Sequence, residues 1–324
     1  MLPGKPKLIV TRRLPEPVEA KMAALFDAEL NRDDHEFSRD ELLSAMQRCD
    51  VIVPTLPDRI DASLIESAGK RLRLIANFGA GTDHIDLAAA RAKNILVTNT
   101  PGVLTDDTAD LVMALILAVP RRLGEGERLL RAGEWTGWGP TAQLGRSVTG
   151  KKLGIIGMGR IGRAVASRAR ACGMNIHYHN RTRLPEAAEA ELGARYRPDL
   201  DEMLAEVDIL SLNAPQTAET QNLIDARRLA LMKPEACLIN AARGGIVDQD
   251  ALIEALQSGA LAGAGFDVYP NEPEVDPRLL MLRNAVLLPH LGSATIETRT
   301  AMGEKVIANI QAWAAGQRLP DQVL

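Results

Sequence analysis

The sequence predicts an α/β protein made of two doubly wound parallel sheets, one domain inserted into the other. Three observations predict it. The length of 324 residues exceeds one ordinary compact core. A rhythm of short strands and helices runs, stops and restarts, and the last strand is followed by a helical pattern with no strand behind it.

The first run of β-branched segments is Leu8-Ile9-Val10, Val51-Ile52-Val53, Leu72-Arg73-Leu74-Ile75 and Ile95-Leu96-Val97, each closed by a polar, Gly or Pro break. A long helix follows, with Asp107 read as its N-cap, Leu111, Ala114, Leu115 and Ala118 on its apolar face, and Pro120 kinking or ending it. The second run occupies 152–156, 175–178, 209–212, 237–239, 264–266 and 285–288. From about 295 to 315 the pattern is helical, and such a tail returns to the first domain. The expected division is 1–100 with 291–324 as one discontinuous domain and 101–290 as the other.

Apolar residues make up 46% and charged residues 25% of the chain, which argues against long disordered tracts. A net charge of −4 leaves no basic surplus for a phosphate backbone, so nucleic acid is not an expected partner. Cys49, Cys172 and Cys237 are far apart and odd in number, which suits neither a disulfide framework nor a metal site and points to a reducing compartment. The first seven residues carry no apolar leader run, and 111–119 falls short of the roughly 20 apolar residues a bilayer needs. A soluble cytoplasmic protein without a membrane partner is expected.

Gly157-Met158-Gly159-Arg160-Ile161-Gly162 directly follows an apolar strand and opens a helical run. In that context the first glycine makes the tight turn, the second lets backbone N–H groups approach a pyrophosphate, and the third packs helix on strand. This predicts a dinucleotide-binding Rossmann unit. At the end of the next strand, where a carboxylate would take the ribose 2′-hydroxyl of NAD, the sequence reads His179-Asn180-Arg181-Thr182-Arg183. Two guanidiniums and a hydroxyl beside Asn180 suit a 2′-phosphate, so NADPH is expected over NADH.

Arg243, in Asn240-Ala241-Ala242-Arg243-Gly244-Gly245, follows a strand and can grip a carboxylate bidentately while polarising the adjoining keto oxygen. Glu272 and His290 also follow strand ends. Ketone reduction needs a proton for the developing alkoxide, which a histidine partnered by a carboxylate can give near neutral pH. Singly, each of the three would pass for a surface or turn residue.

Several blocks then resemble the D-isomer-specific 2-hydroxyacid dehydrogenase family over nearly the whole chain. They are Asn77-Phe78-Gly79-Ala80-Gly81-Thr82-Asp83-His84-Ile85-Asp86, Thr98-Asn99-Thr100-Pro101-Gly102-Val103-Leu104-Thr105, the glycine turn, Asn213-Ala214-Pro215, 240–248, Gly265-Phe266-Asp267-Val268 and Pro289-His290-Leu291-Gly292-Ser293-Ala294. The resemblance implies a flavodoxin-like substrate domain around the Rossmann domain, and Arg243, Glu272 and His290 as the catalytic arginine, glutamate and histidine. It also implies backbone N–H groups around Phe78, Gly79 and Ala80, continuing to Gly81, that hold the substrate carboxylate. Asp267 would contact the nicotinamide amide, and Thr108, Pro215, Thr220, Ala241, Ala242 and Gly292 would line the cofactor.

Within the family, 98–105 and Gly133-Glu134-Trp135-Thr136-Gly137-Trp138 look most like glyoxylate and hydroxypyruvate reductases. That implies a small 2-oxo acid substrate and a homodimer in which Trp138 either closes the partner's site or packs the interface. Phe78 stands where the family has a small aliphatic residue and Asn180 where it has an acid. Another family activity, on formate, phosphite or a bulkier hydroxy acid, and a dinucleotide-sensing corepressor role are the alternatives.

Overall fold

A computed structural model describes residues 4–324. Met1, Leu2 and Pro3, which begin the segment read as lacking a leader run, lie outside the described residues. The chain divides into two compact units, Met1–Leu104 with Ser293–Leu324 and, between them in sequence, Thr105–Gly292.

The first unit holds β1 (Lys7–Val10), β2 (Asp27–Glu29), β3 (Val51–Val53), β4 (Leu74–Ala76) and β5 (Leu96–Thr98). They pair in parallel in the order β2-β1-β3-β4-β5, the flavodoxin-like arrangement. Register explains the two apolar layers. Leu8, Val51 and Leu74 align across the sheet and share one core with Met22, Val306 and Ile310; Ile9, Ile52, Ile75 and Val97 align on the other face and pack with Leu42, Met46 and Leu64. The tail helix Ile296–Ala314 is capped by the Thr295 hydroxyl, which accepts from Thr298 N–H at 3.1 Å, and it packs on the helix Glu16–Leu25 of this unit.

The second unit continues with β6 (Lys152–Ile156), β7 (Asn175–His179), β8 (Ala194–Tyr196), β9 (Ile209–Leu212), β10 (Cys237–Asn240), β11 (Gly263–Phe266) and β12 (Ala285–Leu287). All are parallel, in the order β12-β11-β10-β9-β6-β7-β8. The strand order reverses between β6 and β9, the topological switch point where such sheets bind ligands at their carboxyl ends. Both predicted parallel sheets are thus present.

Two features depart from the expectation. The helix between the strand sets runs Thr105–Ala118, so Asp107 lies in its first turn rather than at its N-cap. There Asp106 and Asp107 complement the helix dipole. Its buried face is Thr108, Ala109, Val112, Met113, Leu115 and Ile116, while Ala114 is exposed. The near-continuous apolar run 111–119 has no clear period, so packing against the helix Arg160–Ala171 decides which side is covered. The strands β2 and β8 lack a strand signature because they are sheet edges: Asp27-Ala28-Glu29 and Ala194-Arg195-Tyr196 pair on one side only, with Asp27, Glu29 and Arg195 in solvent.

Candidate active site

The glycine turn sits at the end of β6, beside the switch point. Gly157 has φ +93°, and a Cβ there would stand 2.6 Å from Ala214 N, so the turn passes against the chain leaving β9. A Cβ at Gly162 would lie 2.1 Å from Gly157 O, which forces the helix onto the turn. At Gly159, by contrast, a Cβ would meet nothing within 4 Å. That open approach is at the N-terminus of Arg160–Ala171, which has no side-chain cap, so its N–H groups suit a pyrophosphate. Arg160 and Gly159 are exposed, Ile161 is half-buried and Met158 is packed in the core.

Asn180 Oδ1 accepts from Met158 N–H at 2.8 Å. A neutral carboxamide therefore braces the turn, and its remaining Nδ2 is a donor where an acid would offer a second acceptor. Arg183 is committed elsewhere. Its Nε and Nη2 meet Glu189 at 2.9 and 2.7 Å, its guanidinium lies 5.7 Å from the Tyr196 ring centroid, and Glu189 also accepts from the Tyr178 hydroxyl at 2.5 Å. Arg181 and Thr182 are exposed. The Thr217 hydroxyl, and more weakly the charge of Arg181, hold the Glu219 carboxyl below its ordinary value.

Other residues read as lining the cofactor spend their polar groups on loop geometry. Thr220 Oγ1 donates to Pro215 O and accepts from Thr217 N–H, both at 2.7 Å. Thr108 Oγ1 donates to Gly292 O at 3.0 Å. Ala241 and Ala242 are half-buried beyond β10.

β10, β11 and β12 are consecutive in the sheet, so the loops carrying Arg243, Glu272 and His290 leave adjacent carboxyl ends. Asn240 closes the first turn, donating to Arg243 O at 2.9 Å and accepting from Ala242 N–H at 3.1 Å. His290 Nδ1 and Glu272 Oε2 are 2.7 Å apart, while Glu272 Oε1 accepts from Tyr269 N–H at 2.9 Å. Burial alone would push the Glu272 carboxyl up. The hydrogen bond and charge of His290, the Tyr269 N–H and the charge of Arg243 outweigh it and hold the group below its ordinary value. Glu272 thus feels both His290 and Arg243.

His290 has φ +54°, a left-handed conformation that is costly for a residue with a Cβ. Asp267 over-determines it. Its carbonyl accepts from His290 N–H at 2.9 Å, and its two carboxylate oxygens accept from Leu291 and Gly292 N–H at 2.6 and 2.8 Å. Burial raises the Asp267 carboxyl despite those bonds.

In the first unit, the loop after β4 departs from the expected donor set. Phe78 N–H is taken by Pro54 O at 2.9 Å and its ring is buried in the core, so Phe78 neither donates to a ligand nor narrows a pocket from this loop. The carbonyls of Gly79, Ala80 and Gly81 are turned inward onto protein donors. Asn77 Nδ2 reaches Gly79 O and Gly81 O at 3.1 and 2.8 Å, Thr100 N–H reaches Gly79 O at 3.0 Å, and Asn99 Nδ2 reaches Ala80 O at 2.7 Å. Neither asparagine was legible as a site residue. Trp138, in the second unit, is 85% exposed.

Residues 113–292 match the family described as D-isomer specific 2-hydroxyacid dehydrogenase, NAD binding domain, and the chain is 46% identical to the glyoxylate reductase of Thermococcus litoralis over 98% of its own length and 97% of that enzyme's. The chain belongs to this dehydrogenase family. A glyoxylate reductase from Pyrococcus furiosus is 45% identical over 98% of this chain and 95% of its own. Among solved structures, the NADPH-dependent glyoxylate/hydroxypyruvate reductase of Sinorhizobium meliloti, in complex with NADP and malonate, superposes with a TM-score of 0.86 at 35% identity, covering 99% of this chain and 97% of that one. The second unit is therefore the family's nicotinamide-dinucleotide domain, and its glycine turn fits that group sterically. As a dehydrogenase of this family the chain is glyoxylate reductase-like, and among its described residues no helix is long and apolar enough to cross a membrane.

Proposed function

We propose that the protein reduces small 2-oxo acids, glyoxylate to glycolate or hydroxypyruvate to D-glycerate, with NADPH preferred over NADH. The observation that carries this reading is the 2.7 Å His290–Glu272 pair on the same sheet edge as Arg243. Bound NADPH supplies the hydride taken up by the substrate carbonyl carbon. Arg243 holds the substrate carboxylate bidentately and draws charge from the keto oxygen. Because His290 Nδ1 faces Glu272, Nε2 is the nitrogen that hands its proton to that oxygen. Glu272 stabilises the imidazolium, and the N–H groups of Gly79, Ala80 and Gly81 bind the carboxylate. Gly157, Gly159 and Gly162 with Asn180, Arg181 and Thr182 would hold the dinucleotide.

Steady-state kinetics with glyoxylate, hydroxypyruvate and a phenyl-bearing 2-oxo acid, each with NADPH and NADH, test this. The two small acids should be turned over and the third poorly; equal use of the bulky acid would refute the small-substrate assignment. For the cofactor, Asn180, whose Oδ1 is taken by Met158 N–H so that Nδ2 is left to donate, and Arg181 standing exposed favour the 2′-phosphate. Arg181→Ala should raise KM for NADPH roughly 10- to 100-fold, the loss of a charge-assisted bond, and leave NADH nearly unchanged. Arg183→Ala should act less directly, by loosening Glu189, and the double variant should lose NADPH far more than NADH. Equal losses with both cofactors would remove the preference.

A homodimer is proposed from apolar surface. Leu123, Leu130, Trp135, Trp138, Leu144 and Met281 are all more than half exposed on the second unit. Met281 helps line a cavity of about 580 Å³, and Leu123 lies between its lining residues Arg122 and Gly124. Light scattering should return the mass of two chains, and Trp138→Ala should either weaken the dimer or alter KM for the 2-oxo acid. A monomer at micromolar concentration would exclude both roles.

A further inference from the structure

We propose that Asn77 and Asn99 are positioning residues that make the three successive peptide units from Gly79 to Thr82 a carboxylate-binding nest, by holding the carbonyls of Gly79, Ala80 and Gly81 on the side away from the ligand. This rests on the reading of that loop as the substrate-carboxylate site and names what shapes it. A peptide unit that turns its C=O inward turns its N–H outward, so the direction of a short loop's donors is set by what captures its carbonyls. Here all three are captured. The single carboxamide of Asn77, which has no solvent exposure, captures Gly81 O alone and Gly79 O together with Thr100 N–H. The third belongs to Asn99, from the end of the neighbouring strand.

The Asn77 amide is held in that orientation by His84, whose Nε2 lies 3.0 Å from Asn77 Oδ1. With its oxygen spent on His84, the carboxamide has only its two N–H bonds to offer, and the two carbonyls take them. On the opposite side, the N–H groups of those same three peptide units, borne by Ala80, Gly81 and Thr82, meet no acceptor among the described residues. Three half-buried backbone donors in succession, none of them taken by the protein, form a concavity suited to an anionic acceptor.

The test is calorimetric titration of the full chain with oxalate, without dinucleotide, beside steady-state kinetics. Asn77→Asp is isosteric but turns an oxygen toward the carbonyls of Gly79 and Gly81. It should raise the oxalate Kd and the KM for the 2-oxo acid roughly tenfold or more, the cost of two lost bonds, while kcat stays within about threefold and dinucleotide Kd is unchanged. Asn99→Ala, half-buried and releasing one carbonyl, should raise both constants a few-fold. Unchanged oxalate affinity in both variants overturns the proposal, as does an equal loss of oxalate and dinucleotide affinity in Asn77→Asp, which would mark a general folding role. If Asn77→Asp does not fold, unchanged oxalate affinity in Asn99→Ala overturns it alone. Wild-type chain that binds oxalate but consumes no NADPH with any 2-oxo acid would sink the reductase reading, and the oxalate titrations would still decide this one.

Discussion

Replacing His290 with Ala is expected to lower kcat for 2-oxo acid reduction by about 10² to 10⁴, with dinucleotide affinity unchanged. The size follows from the step removed. As the carbonyl carbon is reduced its oxygen becomes an alkoxide, and without the imidazole that charge must wait for a proton from water. The backbone should survive, because the left-handed turn at 290 is held through Asp267 and main-chain N–H groups rather than through the imidazole. Glu272→Gln is the companion variant. It removes the negative charge 2.7 Å from Nδ1, and the upper limb of the reduction profile should move to lower pH. Retention of near-normal kcat in His290→Ala would show that the proton comes from elsewhere, and an unmoved profile in Glu272→Gln would dissolve the pair.

Arg243→Ala should lower kcat/KM by about 30-fold to several thousandfold, the range for truncating one partner of a desolvated charge pair. The loss should appear in both constants, since the guanidinium binds the ground-state carboxylate and also draws on the developing oxyanion. Arg243→Lys should recover only part, because a point charge cannot reproduce the two parallel bonds. A pH effect accompanies it. Arg243 contributes to holding Glu272 below its ordinary value, and that carboxylate is charged above its lowered pKa and loses its charge as pH falls through it. Without the guanidinium the Glu272 pKa should rise, so the acid limb of the profile should move to higher pH. An Arg243→Ala enzyme with unchanged KM would place the carboxylate elsewhere.

The sheets were legible because their central strands are buried on both faces. Such strands must be short, continuous and apolar, and 152–156 and 209–212 coincide with β6 and β9 residue for residue. Edge strands carry no such obligation, and β2, with Asp27 and Glu29 in solvent, shows none of it. The helix Thr105–Ala118 was legible as a helix but not in its facing, since an apolar run without a period leaves the choice to its neighbours.

At the site, the same division holds between backbone chemistry and side-chain traffic. Gly157 and Gly162 announce themselves because no other residue fits the close approaches they make. Arg183 did not disclose its pairing, because Glu189 stands six residues away across a loop whose course depends on the buried Tyr178 hydroxyl. Asn77 and Asn99 stand in blocks that carry the family resemblance, which gave neither a role of its own. Their role exists only once β4 and β5 lie side by side and their carboxamides reach the same loop.

The most direct single measurement of the central claim is chiral analysis of the product formed from hydroxypyruvate and NADPH by the wild-type chain. D-glycerate alone, in amounts equal to the NADPH consumed, is the expected result. L-glycerate, a racemate, or no consumption of NADPH would contradict the account.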